Sequence, residues 1–444
     1  MIGMVIDAVK SIGIKRCIVV VGFGAEYIMD YLADEVEYAL QKEQLGTGHA
    51  FMTGLEYLNN TVANDNDSMN NSCYRGRVLA LYGDMPFVSP ETLAGLIDQN
   101  RRNDEHGTLT YAALPNPSTY GYGRIIRDKS GNFIKIVEQK DASEEEARIE
   151  ESNIGVYCFD AEAAREALKR LRADNMQGEM YLTDVFAGFM EAGGRVGLYE
   201  VADIRECLGV NDRAALVELC RVMRIDKCTR LMLESGVTIV DPESTYIDQD
   251  VSVGMDTTIL PGSVLEGRTV IGEACEIGPG ARIRDSRVGD RVKIQYSVVN
   301  EAAISSDVSI GPYANLRPGA AIGAGTKIGD FVEIKNANIG EKVAISHLAY
   351  VGDADVGPKV NIGCGVITCN YDGKAKHRTT IGAHSFIGSN VNLIAPVTVN
   401  ENAYVASGST ITEDVPEDAL AIARGRQVNK EHWVSNKGFR RDNK

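Results

Sequence analysis

No apolar run in the 444 residues approaches the roughly 20 that a membrane-spanning helix needs. The longest, Cys17-Ile18-Val19-Val20-Val21-Gly22-Phe23, is far short of that. The apolar start of the chain is broken by Asp7, Lys10, Lys15 and Arg16, with no small-residue cleavage site after it, so it is expected to belong to the fold. Positive charge is in deficit: 46 Lys and Arg against 62 Asp and Glu, net -16. That argues against a general nucleic-acid binder and leaves room only for local basic pockets suited to phosphorylated small molecules. The nine cysteines are odd in number and scattered, with no CxxC pair, which reads as reduced thiols in a cytoplasmic protein.

What is present follows two grammars. From residue 15 to about 201, apolar β-branched runs alternate with amphipathic stretches. Residues 17–22, 36–40 and 78–83 read as strands, and Ser89-Pro90 opens a helix that runs through Leu96 and Ile97. The pattern predicts an α/β domain with a parallel or mixed sheet covered on both faces. Ligands of such sheets sit beyond the carboxyl ends of the strands, so chemistry is sought in the loops that follow. Residues 212–236 read as one helix, with Leu216, Leu219, Val222, Met223 and Leu231 near helical spacing and Gly236 as its stop.

After Gly236 the period becomes six. Ile247, Val253, Ile259, Leu265, Ile271, Ile277 and Ile283 stand in register; Ile304, Ile310, Leu316, Ile322, Ile328 and Ile334 resume it; Ile381, Ile387, Leu393, Val399, Val405 and Ile411 carry it on. This is the signature of a parallel β-helix. Each hexad supplies a short strand and a turn, three make a triangular coil, and the aliphatic residues stack inward as the core. The break between Ile334 and Ile362 predicts inserted loops or slips. The expected organisation is an α/β domain (1–211), a linker helix (212–236), a hexapeptide-repeat β-helix (237–424) and a basic tail (425–444).

Hexapeptide solenoids serve as coenzyme A-dependent acyltransferases, as carbonic-anhydrase-like metal sites or as inert assembly modules. A metal site needs converging histidines, yet His347, His377, His384 and the tail's His432 are not at tight ligand spacing. His347, in Ile345-Ser346-His347-Leu348-Ala349-Tyr350, falls in the irregular stretch where an insertion builds a pocket. A lone histidine is ordinarily a satisfied surface or core residue. Here Arg317, Lys335, Tyr350, Asn361 and Lys376 lie on neighbouring coils or loops. Their cations suit a phosphate, and a neutral imidazole can take a proton from an attacking amine.

Five motifs carry a family resemblance: Glu43-Gln44-Leu45-Gly46-Thr47-Gly48-His49-Ala50, Leu81-Tyr82-Gly83-Asp84-Met85-Pro86, Gly121-Tyr122-Gly123-Arg124-Ile125, Asn315-Leu316-Arg317-Pro318-Gly319 and Thr368-Cys369-Asn370-Tyr371-Asp372-Gly373. With them the chain resembles, over essentially its whole length, the bifunctional N-acetylglucosamine-1-phosphate uridylyltransferase/glucosamine-1-phosphate acetyltransferase family. The resemblance implies a Rossmann-like domain followed by a left-handed parallel β-helix, in a cytoplasmic homotrimer whose acetyl-transfer site is built between neighbours. It implies that His347 is the general base toward the amine of glucosamine 1-phosphate and that Glu333 fixes its tautomer. Arg317, Lys335 and Lys376 would hold the sugar phosphate, and Tyr350 and Asn361 the sugar. Asn370, Tyr371, Ser389 and Arg424 match acetyl-CoA contacts, while Cys364 and Ser407 stand where small alanines are common.

For the other half, the resemblance implies Asp84 and Asn211 as ligands of Mg2+, with UTP as cosubstrate. Gln41, Gln44, Gly46 and Thr47 look like the uracil-reading loop, and Tyr82, Gly123, Glu138, Asn153 and Thr183 like sugar contacts. One departure stands out. The family opens with a strand and a Gly-x-Gly-Thr-Arg phosphate loop, whereas residues 1–14 here resemble the helix after that loop, and Gly22-Phe23-Gly24 aligns elsewhere. The expectation is a sheet with an open strand edge. Either the segment lies upstream of Met1, or uridylyl transfer is impaired. The alternatives are an acetyltransferase alone and a non-catalytic assembly solenoid.

Overall fold

The computed structural model describes residues 1–65, 73–115 and 121–438. They fall into two compact units, Met1–Leu219 and Cys220–Lys444. The last six residues of the expected tail, 439–444, lie outside the described residues.

The first unit opens with α1 (Ile2–Ser11), β1 (Ile18–Val21), α2 (Ala25–Leu32), β2 (Glu37–Leu40), α3 (Thr47–Asp65) and β3 (Arg77–Ala80). It continues through α4 (Pro90–Arg102), β4 (Gly107–Ala113), β5 (Arg124–Arg127), β6 (Phe133–Val137), β7 (Glu151–Asp160), α5 (Ala161–Leu168), α6 (Asp184–Glu191) and β8 (Val196–Glu200). Ser89 caps α4 through its side chain, which accepts from the Thr92 N–H, with Pro90 behind it in the first turn. Asp160 caps α5 by accepting from the N–H groups of Glu162 and Ala163.

Six strands form a mixed sheet in the order β6-β5-β7-β4-β8, with β3 also on β7. Only β4–β8 is parallel within it. Strands β1 and β2 pair in parallel as a separate two-stranded sheet. The core is aromatic: Tyr157, Phe159 and Phe186 are fully buried and mutually tilted, and Phe189 packs edge-on to Phe186.

Helix α7 (Arg213–Glu234) is capped by Asp212, whose carboxylate accepts from the Ala215 N–H at 2.8 Å. It crosses the division between the units, and its Cys228 and Leu231 join the solenoid core. From Thr238 onward every named strand pairs in parallel with a coil above or below it. The inward column Leu265, Ile283, Val299, Leu316, Ile334 and Val351 advances by 16 to 18 residues per coil. Thr368 replaces an aliphatic in that column, and its buried hydroxyl is satisfied by donating to the Gly352 carbonyl (2.9 Å) and accepting from its N–H (2.8 Å).

The coil from Thr368 to Leu393 takes 25 residues. Its excess forms the projecting loop at residues 370–377, closed by a Tyr371–Lys376 bridge. This corrects one sequence expectation. The stretch around His347 holds no insertion, since Ala344–Gly352 is a regular nine-residue strand beside Lys327–Lys335. The irregularity there is a change in coil length.

Candidate functional site

In the solenoid, the pairing of strand Lys327–Lys335 with strand Ala344–Gly352 sets Asp330 beside His347 and Glu333 beside Tyr350. His347 Nδ1 lies 2.6 Å from Asp330 Oδ1. That contact holds the Asp330 carboxyl below the usual range, so the carboxylate accepts and Nδ1–H donates. The neutral ring is then left with its lone pair on Nε2, on an imidazole that stays largely exposed. Glu333, to which the family resemblance gives the orienting role, instead accepts from the Arg317 guanidinium at 2.8 Å. Glu333 makes no contact with His347 among the described hydrogen bonds. Asp330 was missed in the sequence because its partner lies 17 residues on, a distance set by coil length.

Arg317, Lys335 and Lys376 gather on this face. The Lys376 ammonium, with Arg317 adding to it, holds Lys335 below the ordinary lysine range. Burial alone would raise Asp353, but amides of Asn336 and Asn370 and the two lysines outweigh it and keep it ionised. Asn370 also points its amide at the Tyr350 hydroxyl, 3.4 Å away. Asn361 continues the Ala344 column one coil on. In the loop, Asp372 accepts from the N–H groups of Lys374 and Ala375, and pairs with His377 Nε2 at 2.7 Å. His377 is thereby occupied in shaping the turn that projects Lys376.

Cys364, Ser389 and Ser407 each follow by two residues the aligned column Ile362, Ile387 and Val405, so they stack along one corner. The Ser389 N–H donates to Ser407 Oγ at 3.1 Å. A Cβ on Gly363 or Gly388 would lie 2.7 or 2.6 Å from the next coil's backbone nitrogen, so the corner leaves little room for bulk. All three side chains and Arg424 are exposed, as is the Tyr371 ring.

In the α/β unit, β3 stops at Ala80, three residues short of the expected end, and Asp84 sits in the following loop. The Val210 N–H donates to the Asp84 carbonyl at 3.0 Å, bringing the chain at Asn211 to that loop. Burial pushes the Asp84 carboxyl up, and no cation pairs with it among the described ion pairs. No cluster of three or more His, Cys, Asp or Glu exists among the described residues. One half-buried carboxylate with a neighbouring amide fits a hard cation that keeps most of its waters.

The Gln41 amide donates to the Gly46 carbonyl at 3.3 Å and meets His49 Nδ1 at 2.9 Å. Gly46 has φ 107°, and a Cβ there would fall 2.6 Å from the Met180 carbonyl, so only glycine fits. Thr47 accepts from the Leu182 N–H at 3.0 Å, and the Gln44 amide lies under Gly22. Across the cleft, the Asn153 N–H donates to the Gly123 carbonyl (2.9 Å) and its amide to the Tyr157 hydroxyl (2.8 Å). Glu138, pushed up by burial, accepts from the Thr183 hydroxyl at 2.8 Å. Burial also pushes the Tyr82 phenol up to about 12, edge-on to Tyr157. Tyr157 itself escaped sequence reasoning, since nothing in the pattern marks a core tyrosine as a support for the cleft.

No described helix is long and apolar enough to cross a membrane. The nucleotidyl transferase family matches residues 1–202, and the bacterial transferase hexapeptide (six repeats) family matches residues 250–285 and 378–413. A bifunctional protein GlmU from Acetivibrio thermocellus is 49% identical over 437 residues, covering 98% of this chain and 91% of its own. Proteins of the same name are 49% identical in Geobacillus sp. (434 residues, 98% and 91%) and 46% identical in Clostridioides difficile (442 residues, 100% and 93%). A solved UDP-glucose pyrophosphorylase bound to UDP-glucose aligns at 14% identity and TM-score 0.36, over 49% of this chain and 86% of that one. Two enzyme modules matched in one order, within relatives aligned almost end to end, make the chain an enzyme of the bifunctional GlmU family.

Proposed function

We propose that the solenoid transfers acetyl from acetyl-CoA to glucosamine 1-phosphate and that the α/β unit then joins the acetylated sugar phosphate to UMP from UTP. The carrying observation is the gathering of Arg317, Lys335 and Lys376 on the face that presents a base with a free Nε2. The three cations take the substrate phosphate, and Tyr350 and Asn361 orient the sugar. Nε2 removes a proton from the amine as its nitrogen attacks the thioester carbonyl, and the thiol of coenzyme A leaves. Asp330 fixes the tautomer in this reading, and Glu333 acts by aligning Arg317. Asn370, Tyr371, Cys364, Ser389, Ser407 and Arg424 line the course of the coenzyme.

In the α/β unit, Gln41, Gln44, Gly46 and Thr47 read the uracil, while Tyr82, Gly123, Glu138, Asn153 and Thr183 seat the acetylated sugar. Asp84 and Asn211 hold Mg2+, which when bound supplies neutralisation of charge on the triphosphate. A phosphate oxygen of the sugar attacks the α-phosphorus, and pyrophosphate leaves. Nine free thiols suit a cytoplasmic setting. The exposed stacked ladder of Tyr296, Tyr313 and Phe331 suits a homotrimer with side-by-side prisms.

The test follows free coenzyme A and pyrophosphate side by side. His347→Ala is expected to lower acetyl transfer by roughly two to four orders of magnitude while leaving uridylyl transfer unchanged. Asp84→Asn is expected to do the reverse, losing on the order of a hundredfold or more. Acetyl transfer that survives His347→Ala but fails in His377→Ala would overturn the assignment.

A further inference from the structure

The loop at residues 370–377 carries two side chains on which the proposed acetyl transfer depends. Lys376 offers a cation to the sugar phosphate, and Tyr371 lines the course of the coenzyme. The Tyr371–Lys376 bridge ties the two together across the loop, and the His377 N–H closes its base on the Asn370 carbonyl at 2.8 Å. The loop is thus one braced unit, and its placement depends on what holds its two ends. Asp353 holds both.

Asp353 follows directly on strand Ala344–Gly352 in a left-handed conformation, φ 46°, which aspartate and asparagine tolerate better than other side chains. Its N–H donates to the Lys335 carbonyl at 3.0 Å, and its carbonyl accepts from the Thr379 N–H at 3.1 Å, just beyond the loop. Its carboxylate accepts from the side-chain amide of Asn370, the first loop residue, and from that of Asn336. The same Asn370 amide reaches the Tyr350 hydroxyl, so both of its N–H donors are engaged. Asp353 is only 7% exposed, so it acts through these neighbours and not on a ligand. Lys335 and Lys376 stand near enough to favour its charge, yet neither pairs with it among the described ion pairs. Both ammonium groups are thereby left for an anion.

We infer that Asp353 is a positioning residue: it fastens the 370–377 loop at both ends and so sets where Lys376 meets the sugar phosphate and Tyr371 the coenzyme. The assignment rests on the proposed acetyl transfer and adds to it a residue that touches neither substrate. One carboxylate then couples two subsites through a single loop. Asparagine at position 353 keeps the backbone conformation and the volume, but it turns an amide donor toward the Asn370 amide. Aspartate at position 370 instead sets two carboxylates face to face. Made together, the two changes restore one donor opposite one acceptor.

The experiment compares the full chain with Asp353→Asn, Asn370→Asp and the double variant, each first checked for the parent's thermal transition. Coenzyme A release is followed while glucosamine 1-phosphate and acetyl-CoA are varied in turn. Asp353→Asn is expected to raise both KM values by about tenfold and to leave kcat within about threefold, the pattern of lost binding without lost chemistry. Asn370→Asp should weaken both substrates as well, and the double variant should recover most of the loss. Hydrogen exchange on the unliganded chain supplies a readout that needs no turnover. In Asp353→Asn the His377 and Thr379 amides should exchange about tenfold faster or more, as for a locally opened segment. The Arg291 amide, paired between coils elsewhere, should not change. Unchanged KM values, a fall in kcat alone, or a double variant no better than either single one would each overturn the inference. Unchanged loop exchange would overturn it too. Should the parent itself fail to acetylate glucosamine 1-phosphate, the proposed reaction falls, and exchange still decides whether Asp353 holds the loop.

Discussion

The two candidate sites keep their carboxylates in opposite states. On the solenoid face, Asp330, Asp353 and Asp372 are held below the usual range by His347, by asparagine amides and lysines, and by loop N–H groups respectively. In the α/β cleft, Asp84 and Glu138 are pushed above it by burial. A flat, exposed strand surface tunes charge through neighbours that register places beside it, whereas a cleft tunes charge by excluding water. The solenoid face therefore presents fixed charge to an anionic substrate. The cleft presents acids that favour a cation or a neutral sugar hydroxyl.

The largest effect expected from this contrast is on phosphate binding. Arg317→Ala or Lys376→Ala should raise KM for glucosamine 1-phosphate by roughly 10- to 100-fold, since each removes a charge-assisted hydrogen bond to the phosphate. Added salt should narrow the gap between variant and parent, because these groups are exposed. KM for acetylated sugar phosphate in the uridylyl assay should not move. A change there would break the division of labour between the units.

How far the sequence anticipated this differs by unit for the same reason. Hexads are legible because every inward position has the same surroundings, so Ile283, Leu316 and Ile334 announce themselves. The contacts between coils are not, because a coil takes 16 to 18 residues and small changes move which side chains meet. That is why Asp330 was hidden and the projecting loop was sought near His347 rather than after Thr368. In the α/β unit, the strands showed in the apolar runs at 17–22, 36–40 and 78–83. Their pairing did not show, since whether β1 meets β3 depends on tertiary register and not on composition. Gly46 was found by motif, yet the Met180 carbonyl that demands a glycine there comes from a segment about 130 residues away, beyond any local pattern.

A smaller effect separates two carboxylates three residues apart on one strand, Asp330 and Glu333. Asp330→Asn should lower kcat of acetyl transfer by about tenfold, the scale of one charged hydrogen bond, with KM for glucosamine 1-phosphate nearly unchanged. Glu333→Gln should act mainly on KM, through Arg317, and leave kcat in place. Should Glu333→Gln lower kcat and Asp330→Asn leave it, the orienting role belongs to Glu333 after all.

The smallest effect is on stability, and its sign differs between Glu138 and Asp355. Burial raises Glu138, partly offset by the Thr183 hydroxyl, so the folded chain binds that proton more tightly than the unfolded chain does. Its contribution to stability is complete below the unfolded value of about 4.3 and is lost as pH rises through the folded value. Glu138→Gln retains an oxygen for Thr183 and removes the buried charge. The unfolding temperature of this variant should match the parent near pH ~4 and exceed it increasingly as pH rises toward ~8. Asp355 behaves in reverse: Arg378 foremost, with Asn338 adding, holds it low, so its contribution is present above the unfolded value of about 3.9 and fades as pH falls. Asp355→Asn should accordingly lie below the parent at neutral pH and converge on it in acid. Calorimetric scans of both variants across that range read the two slopes directly. Parallel slopes of one sign would mean that burial and pairing do not act on these two carboxylates in opposite directions.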